Sequence, residues 1–565
     1  MISIAGFTSA RRALSVAVLM SAASVAQGHS AYKTCDGAGI GSVALFADGP
    51  QVTIEAVSME TAGGGATAVP YCLVKVLVPN KIHIWVGLPT EGKWNGRWQS
   101  LGGGGYSGNT ALPTGAVLGG YAGATTDTGH TGGRPDLPVP LLDGSFGMLS
   151  PGVPNIPAQV DFASRSEHLM AVIGKQLVRA FYGAPPNYSY WNGCSTGGRQ
   201  GLRMAQEFPG DYDGILAGAP AIHWDRFQAA QIWHQLVQFR DNGGPIGGGV
   251  PATSAAKLRL ATTKAVAACD AIDGVVDGVL TDPRKCGYHA SDDATLSNAM
   301  CTSADPTCLT STEASAIDKM WTGPVACANP RRDGNCPASD TATRVLFGFG
   351  NKRLWYPNER GTDLGGLGGV VPFPIATEQP KFWVYFDPTW DWHSLDYGNY
   401  LPFFRDSVAR VGPLMASDDP NLSRFRARRG KVLMWHGFAD QLIVPGGTID
   451  YYDRVARRFG GYQRTQDFAR LFMAPGVAHC GGGAGPQPQA LFEAVVAWVE
   501  HGTAPERILA TRASGGMTQS RPLCPYPAFA RWNGTGSSDD AANFVCRTSF
   551  ELGGNEDSAT GIHDD

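Results

Sequence analysis

Hydrophobic positions in the first 222 residues alternate between two spacings. Short apolar or aromatic runs, among them KIHIWVGLP, WQSLGGGG, YSYWNGC and DGILAGAPA, are typical of buried strands that run into loops. Between them, EHLMAVIGKQLVRAFYG (167–183) and GGRQGLRMAQEFP (197–209) place apolar residues at helical spacing and end at glycine and proline. Strands that alternate with helices in this way predict a parallel α/β sheet.

The alternation stops at residue 223 and resumes near residue 430. GKVLMWHGFAD (430–440) and ARLFMAPGVAHC (469–480) restore the strand-and-loop pattern. We therefore predict a sheet domain in two parts, residues 27–222 and 431–565, with a lid domain at 223–430 inserted between them. The insertion contains the aromatic-rich stretch 381–404, whose rings suit either the lid's own core or a pocket for an aromatic acid.

The first 26 residues are typical of an export signal. Arg11 and Arg12 precede the apolar stretch ALSVAVLMSAASVA, and Ser24 and Ala26 fit the small-residue positions before a cleavage site. The paired arginines also suggest twin-arginine export. The apolar stretch is too short for a membrane span. We expect a secreted or periplasmic protein without a membrane-spanning segment.

Export accounts for the twelve cysteines, because an even number in an oxidising compartment suggests six disulfides. Sequence alone does not give the connectivity. Pairing sequence neighbours gives 35–72, 269–286, 301–308, 327–336 and 524–546, and leaves Cys194 and Cys480. The net charge of −4 provides no basic surface for nucleic acid.

Gly193-Cys194-Ser195-Thr196-Gly197 satisfies the pattern G-x-S-x-G between a predicted strand and a predicted helix. That context is typical of a nucleophile elbow, in which a strained turn exposes the serine hydroxyl. A serine nucleophile needs a histidine base, and the histidine needs a carboxylate. Asp440 and His479 follow Ser195 in the order used by α/β-hydrolases; His436 competes, and we assign it a structural role. The prediction is an α/β-hydrolase fold with a large disulfide-rich lid insertion.

Cys194 directly precedes the serine and Cys480 directly follows the histidine, so a bridge between them would limit the relative drift of the two loops. Together, GCSTGGRQGLRMAQEFPGDYDGILAGAPA, HGFADQLIVP and GVAHCGGG resemble the tannase and feruloyl esterase family, which includes mono(2-hydroxyethyl) terephthalate hydrolase. The resemblance implies a catalytic triad of Ser195, Asp440 and His479, and a disulfide between Cys194 and Cys480.

An oxyanion hole follows from the same arrangement. One donor should be the backbone N–H of Thr196, the residue after the nucleophile. The other should come from LGGGGYSG (101–108), where we select Gly104 or Gly105. The alternative for this stretch is a flexible glycine turn.

A second constellation lies in the insertion, where Asp270, Asp273 and Asp277 fall within eight residues of the stretch CDAIDGVVDGVLTDP (269–283). Oxygen ligands at this density suit Ca²⁺, although the spacing is not that of an EF-hand. The family resemblance implies a structural calcium in the lid at a matching spacing. The predicted ligands are the carboxylates of Asp270, Asp273 and Asp277 and the carbonyls of Val275 and Val279. No organic cofactor is expected.

These features predict a serine carboxylic-ester hydrolase that forms an acyl-enzyme with a small aromatic ester. Feruloyl or other hydroxycinnamoyl esters come first, galloyl esters next, and terephthalate monoesters are the alternative within the family. Ile443 is a candidate wall of the acyl pocket by family analogy, and Arg405 is a candidate partner for a substrate carboxylate. A calcium-stabilised binding protein without activity is the remaining alternative, and the presence of all three triad residues argues against it. The oligomeric state stays open.

Overall fold

The computed structural model describes residues 33–47, 51–79, 81–108, 110–241, 253–326, 352–367, 371–514 and 517–548. The predicted export signal and the predicted Cys327–Cys336 pair lie outside these residues.

A ten-stranded sheet forms the centre of the protein. Its strands are β1 (Leu45–Phe46), β2 (Gln51–Ala62), β3 (Val69–Val78), β4 (Ile82–Pro89), β5 (Arg97–Leu101), β6 (Ala122–Thr126), β7 (Tyr188–Cys194), β8 (Gly214–Gly218), β9 (Lys431–Gly437) and β10 (Ala469–Ala474). They are arranged in the order β1-β2-β3-β4-β6-β5-β7-β8-β9-β10.

The prediction of a parallel sheet is correct for only part of this sheet. The strands β6, β5, β7, β8, β9 and β10 are parallel to one another. The strands β1 to β4 pair antiparallel, and β4 also pairs antiparallel with β6. The sheet is therefore mixed. Hydrophobic spacing identifies KIHIWVGLP as a strand but carries no information on its direction, since either direction buries the same side chains.

Fifteen helices accompany the strands in the described residues. They are α1 (Thr114–Leu118), α2 (Ile156–Val160), α3 (Ser166–Tyr182), α4 (Thr196–Glu207), α5 (Trp224–Gln231), α6 (Trp233–Asp241), α7 (Ala255–Cys269), α8 (Ser311–Thr322), α9 (Leu364–Leu367), α10 (Pro374–Gln379), α11 (Tyr400–Met415), α12 (Ser423–Ala427), α13 (Pro445–Phe459), α14 (Tyr462–Thr465) and α15 (Leu491–His501). The predicted helices at 167–183 and 197–209 are α3 and α4. As expected, α3 ends at Gly183, which has a left-handed backbone (φ 78°).

Both faces of the parallel strands are buried. In β9, Val432 and Met434 belong to the same apolar cluster as α3, α4 and α13, whereas Leu433 and Trp435 belong to a second cluster with Val495 of α15. Successive strand residues point to opposite faces, so helices cover the sheet on both sides.

The inserted segment, residues 223–430, contributes no strand to this sheet among the residues that the structure describes. Its aromatic stretch forms largely a core of its own. Six of its rings are buried in one cluster, namely Phe382, Trp383, Trp392, Tyr400, Phe403 and Phe404. The cluster also takes in Tyr106 from the loop after β5, whose ring centroid lies 5.9 Å from that of Trp383. The insertion is thus packed against the loops at one edge of the sheet.

The chain ends in short antiparallel pairs, β11 (Gln487–Pro488), β12 (Ile508–Ser514), β13 (Met517–Leu523), β14 (Ala528–Trp532) and β15 (Phe544–Thr548). Two further antiparallel pairs are Met148–Ser150 with Val153–Pro154 and Val325–Ala326 with Lys352–Arg353. Five of the six predicted disulfides are confirmed: 35–72, 194–480, 269–286, 301–308 and 524–546. In the described part of the chain, every helix is too short or too polar to cross a bilayer.

Candidate active site

The predicted site residues lie at one edge of the sheet, where the parallel strands end. The glycine loop follows β5, Ser195 follows β7, Asp440 follows β9, and His479 follows β10. The carboxyl ends of parallel strands share one edge, which is where α/β sheets commonly bind ligands.

Ser195 lies in a tight turn between β7 and α4. Its backbone has φ 64° and ψ −124°, an unusual conformation for a residue with a side chain. Backbone hydrogen bonds of Ser195 hold the turn in place. Its N–H donates to the Gly218 carbonyl at 2.9 Å, and the Ser195 carbonyl accepts from the N–H groups of Arg199 and Ala221, both at 3.1 Å. This is the strained strand-to-helix turn expected of a nucleophile elbow.

Glycines around the turn allow strand, helix and loop to come close together. A Cβ on Gly193 would lie 2.6 Å from the Gly197 backbone, and one on Gly102 would lie 2.5 Å from the Gly197 Cα. Any larger residue at either position would push α4 away from the strand or from the glycine loop. Glycine is therefore required at these positions because no side chain would fit.

Asp440 is fully buried and binds His479. Its Oδ2 lies 2.8 Å from His479 Nδ1, while its Oδ1 accepts from the backbone N–H groups of Leu442 and Ile443, both at 2.8 Å. A carboxylate can only accept here, so Nδ1 of His479 carries the proton and Nε2 is left with its lone pair. An imidazole in this tautomer can take a proton from a serine hydroxyl.

A second histidine also contacts the same carboxylate oxygen. His436 Nε2 lies 3.0 Å from Asp440 Oδ2 and 2.8 Å from the Ile443 carbonyl, and its Nδ1 lies 2.8 Å from Thr448 Oγ1. Because both neighbours of Nε2 are acceptors, Nε2 is the donor and Nδ1 accepts from the threonine hydroxyl. The sequence analysis assigned His436 a structural role. The feature that indicates this role is its position at the end of β9, four residues before Asp440.

Opposing influences act on the Asp440 carboxyl group. Burial alone would raise its pKa, but the interactions with His479 and His436 outweigh burial and hold the pKa below its ordinary value. The acid therefore stays ionised at neutral pH, where it can orient the imidazole.

The predicted bridge between Cys194 and Cys480 is present, with the two Cα atoms 6.0 Å apart. It joins the residue before Ser195 to the residue after His479. Cys480 Sγ lies 3.7 Å from His479 Nε2, so the unprotonated nitrogen is next to the bridge. Cys480 also has a positive φ of 58°, and the same holds for the three glycines that follow it. The bridge constrains a loop whose backbone is otherwise unusual.

The glycine loop after β5 contacts the start of α4. Thr196 Oγ1 donates to the Gly105 carbonyl at 2.5 Å, and the N–H of Gly103 donates to the side chain of Gln200 at 3.0 Å. Within the described residues, the backbone N–H groups of Thr196, Gly104 and Gly105 have no acceptor. These three groups can donate to a developing oxyanion, whereas that of Gly103 cannot.

The two predicted pocket residues differ in their surroundings. Ile443 belongs to the acid loop and is buried in the aromatic cluster of the insertion. Arg405 is exposed on α11, and no contact in the described residues joins it to Ser195 or His479. The structure thus brings Ile443, but not Arg405, to the predicted triad.

The predicted calcium loop follows α7, and all three predicted aspartate ligands accept backbone N–H groups of the loop, Asp277 that of Val279 at 3.1 Å. Asp270 Oδ2 accepts from the N–H of Gly278 and Asp273 Oδ1 from that of Val275, both at 2.9 Å. Asp277 forms an ion pair with Arg521 at 2.5 Å. No set of three or more His, Cys, Asp or Glu side chains in the described residues is arranged to hold a metal.

Two observations in this loop nevertheless fit a nearby cation. The second carboxylate oxygen of Asp270 is buried without a hydrogen-bond partner in the described residues. Burial, together with the charge of Asp277, raises the pKa of Asp273 despite hydrogen bonds that act to lower it. The Asp270 carboxylate therefore has unused capacity to bind an ion, and calcium stays a prediction.

A sequence profile described as "Tannase and feruloyl esterase" matches residues 74–547. The chain belongs to the tannase and feruloyl esterase family. It is a carboxylic-ester hydrolase, as the sequence predicted, and the alternative of a binding protein without activity is not supported.

Individual members of the family align over most of the chain. A probable feruloyl esterase of Arthroderma benhamiae is 34% identical, with 86% of this chain and 87% of that protein covered. The mono(2-hydroxyethyl) terephthalate hydrolase of Piscinibacter sakaiensis is 32% identical, with 83% and 82% covered. The crystal structure of feruloyl esterase B from Aspergillus oryzae superposes with a TM-score of 0.72 at 24% identity, covering 88% and 97%. The superposition on this crystal structure shows that the two proteins share one fold.

Proposed function

We propose that the protein is an exported serine esterase with an α/β-hydrolase fold and a lid at 223–430, and that it cleaves esters of aromatic acids through an acyl-enzyme on Ser195. The observation that carries the proposal is one connected unit. Ser195 occupies a strained elbow, His479 is oriented by Asp440, and the Cys194–Cys480 bridge joins the serine and histidine loops.

The chemistry follows from the positions of these groups. His479 Nε2 accepts the proton of the Ser195 hydroxyl as the oxygen attacks the ester carbonyl. The N–H groups of Thr196 and of Gly104 or Gly105 donate to the oxyanion. The intermediate collapses when His479 returns the proton to the leaving alcohol. Water then attacks the acyl group with His479 again as base, which releases the acid and restores the serine.

An aromatic acyl group is supported by the family relatives and by the walls near the site. Probable feruloyl esterases are among the relatives, and Ile443 lies against an aromatic cluster that includes Tyr106. Feruloyl or other hydroxycinnamoyl esters are the first choice, and galloyl esters the second. Terephthalate monoesters are the alternative because one relative hydrolyses such an ester. Nothing in the described residues supports Arg405 as the partner of a terephthalate carboxylate. Its side chain is exposed on α11 and makes no contact with Ser195 or His479.

A structural calcium ion is the second part of the proposal. Asp270, Asp273 and Asp277 would hold it together with the carbonyls of Val275 and Val279. Bound there, the ion would neutralise the crowded carboxylates and stabilise the lid. It takes no part in the ester chemistry.

Export is supported by the cysteine chemistry. Five disulfides join cysteines in the described residues, and such bonds persist in oxidising compartments outside the cytosol. The signal proposed for residues 1–26 would deliver the chain to the periplasm or the medium.

A fluorophosphonate probe with peptide mapping tests the nucleophile. We expect one equivalent of label on Ser195, no label in Ser195→Ala, and strongly slowed labelling in His479→Ala. Steady-state assays with methyl ferulate, methyl gallate and mono(2-hydroxyethyl) terephthalate then rank the acyl groups. Label on another residue would overturn the nucleophile, and a preference for the terephthalate ester would select the alternative substrate.

A further inference from the structure

Two buried polar side chains outside the triad link the glycine loop to the helices beside it: Gln200 binds the loop, and Glu167 binds Gln200. Gln200 lies on α4, five residues after Ser195, and Glu167 lies near the start of α3; both are almost completely inaccessible to solvent. Gln200 Oε1 accepts the N–H of Gly103 at 3.0 Å, and Gln200 Nε2 donates to Glu167 Oε1. The contacts form a chain from α3 through α4 to the loop.

The orientation of the Gln200 amide is determined by its two neighbours. The backbone N–H of Gly103 can only donate, so the amide oxygen must face the loop. The amide nitrogen then faces Glu167, which must offer an acceptor. Rotating the amide by 180° would place a donor against a donor at Gly103, and leave a buried N–H without a partner. Glu167 therefore keeps Gln200 in the orientation that binds the loop.

The loop needs such an anchor because it lacks side chains. Four successive glycines, Gly102 to Gly105, have no side chains of their own to select one backbone conformation, so the loop depends on its backbone contacts. Among these, the N–H of Gly102 donates to the Asn192 carbonyl at 2.9 Å, and the Gly104 carbonyl accepts from the N–H of Ser107 at 2.7 Å. Hydrogen bonds to α4 fix both ends of the segment around Gly104. The N–H of Gly103 binds Gln200, and the carbonyl of Gly105 binds Thr196 Oγ1 at 2.5 Å. The nucleophile and the loop are thus positioned by the same helix.

We propose that Gln200 and Glu167 are positioning residues for the oxyanion loop, and that they keep the N–H groups of Gly104 and Gly105 directed at the reacting carbonyl. Neither side chain touches the substrate. The inference deepens the proposed function and rests on Ser195 as the nucleophile. Errors of about 1 Å in such donors can cost about a hundredfold in rate.

The test compares hydrogen-bonding and apolar replacements of similar size. Gln200→Met and Glu167→Met remove the two contacts, and each should lower kcat about ten- to hundredfold with KM changed less than about twofold, because the oxyanion forms only in the transition state. Glu167→Gln keeps an acceptor for Gln200 and should retain activity within about twofold of wild type. The double variant Gln200→Met/Glu167→Met should be no worse than either single variant, since both act through one contact.

A matched control comes from the same helix. Gln206→Met makes the same exchange on α4 and removes hydrogen bonds to the Ser417 carbonyl and the Tyr451 hydroxyl, far along the helix from the loop. It should lower the melting temperature without lowering kcat. Affinity for an aryl boronic acid, which becomes tetrahedral on the serine, should fall in Gln200→Met by the same factor as kcat/KM. A purely structural role would change the melting temperature alone.

The outcomes separate this inference from the proposed function. Failure of the fluorophosphonate to label wild-type Ser195 refutes the proposed function. Normal labelling of wild type, combined with wild-type kcat and boronate affinity in Gln200→Met, refutes only the positioning role. An inactive Glu167→Gln that folds would also refute it, since the acceptor is retained. If Gln200→Met does not fold, Gln200→Asn, shorter by one methylene, is used with the same expected result.

Discussion

The Cys194–Cys480 bridge should contribute to stability and to catalysis, whereas a bridge elsewhere in the fold should contribute to stability alone. The first joins positions 286 residues apart at the candidate active site. The second, Cys35–Cys72, spans 37 residues and ties the N-terminal segment to β3. Replacing both cysteines of one pair by alanine removes that bridge and leaves no unpaired thiol.

The loss of unfolding free energy on removing each bridge follows from the length of the loop that the bridge closes. In the chain-entropy description, removing a link across 286 residues costs about 5–6 kcal/mol, and removing one across 37 residues costs about 4 kcal/mol. These are upper values, since removal of native disulfides commonly costs about 2–5 kcal/mol. Both double variants should therefore unfold at lower urea concentration, by similar amounts.

The two double variants should differ in kcat. Without the first bridge, the loop carrying His479 is no longer tied to the elbow, and kcat should fall at least about tenfold through misplacement of Nε2. Urea unfolding gives the stability of each variant, and kcat is measured per fluorophosphonate-reactive serine, at a temperature where both variants remain folded. A wild-type kcat in Cys194→Ala/Cys480→Ala would refute the idea that the bridge positions the histidine. An equal loss in Cys35→Ala/Cys72→Ala would show that the loss is not local.

Three further changes test other parts of the site. Chelation with EDTA should lower the melting temperature, added Ca²⁺ should restore it, and Asp273→Asn should weaken this response; no thermal response to either reagent contradicts the calcium proposal. His436→Phe removes one donor from Asp440 and should lower kcat about tenfold or more, while an unchanged kcat would show that His479 and the N–H groups of Leu442 and Ile443 hold the acid in place without His436. Burial raises the pKa of Glu167 to about 7 from 4.5, so the folded state holds a proton that the unfolded chain releases, and stability should fall as pH rises through this window by up to about 3 kcal/mol. Glu167→Gln should flatten that part of the urea-derived stability profile, and an unchanged slope would contradict the assignment.

Features set by neighbours in sequence could be predicted, and those set by tertiary packing could not. The elbow, α3, α4 and four of the five observed bridges depend on local spacing. The antiparallel direction of β2 to β4 could not be inferred, because period-two burial is the same in both directions. Glu167 and Gln200 are 33 residues apart, and their contact depends on how α3 meets α4. Nothing in either local pattern distinguishes a buried polar pair from two exposed helix residues.

The aromatic stretch at 381–404 shows a similar limit and indicates where specificity must originate. Its composition fitted a substrate pocket and a core equally well, and burial assigns most of its rings to the core. Rings already packed against one another cannot also sandwich a substrate without opening the cluster. We therefore predict that selection among aromatic acids depends on the few groups where the insertion meets the strand ends, such as Ile443 of the acid loop. Exchanging residues at that boundary should change the ranking of esters, whereas exchanging rings inside the cluster should change stability first.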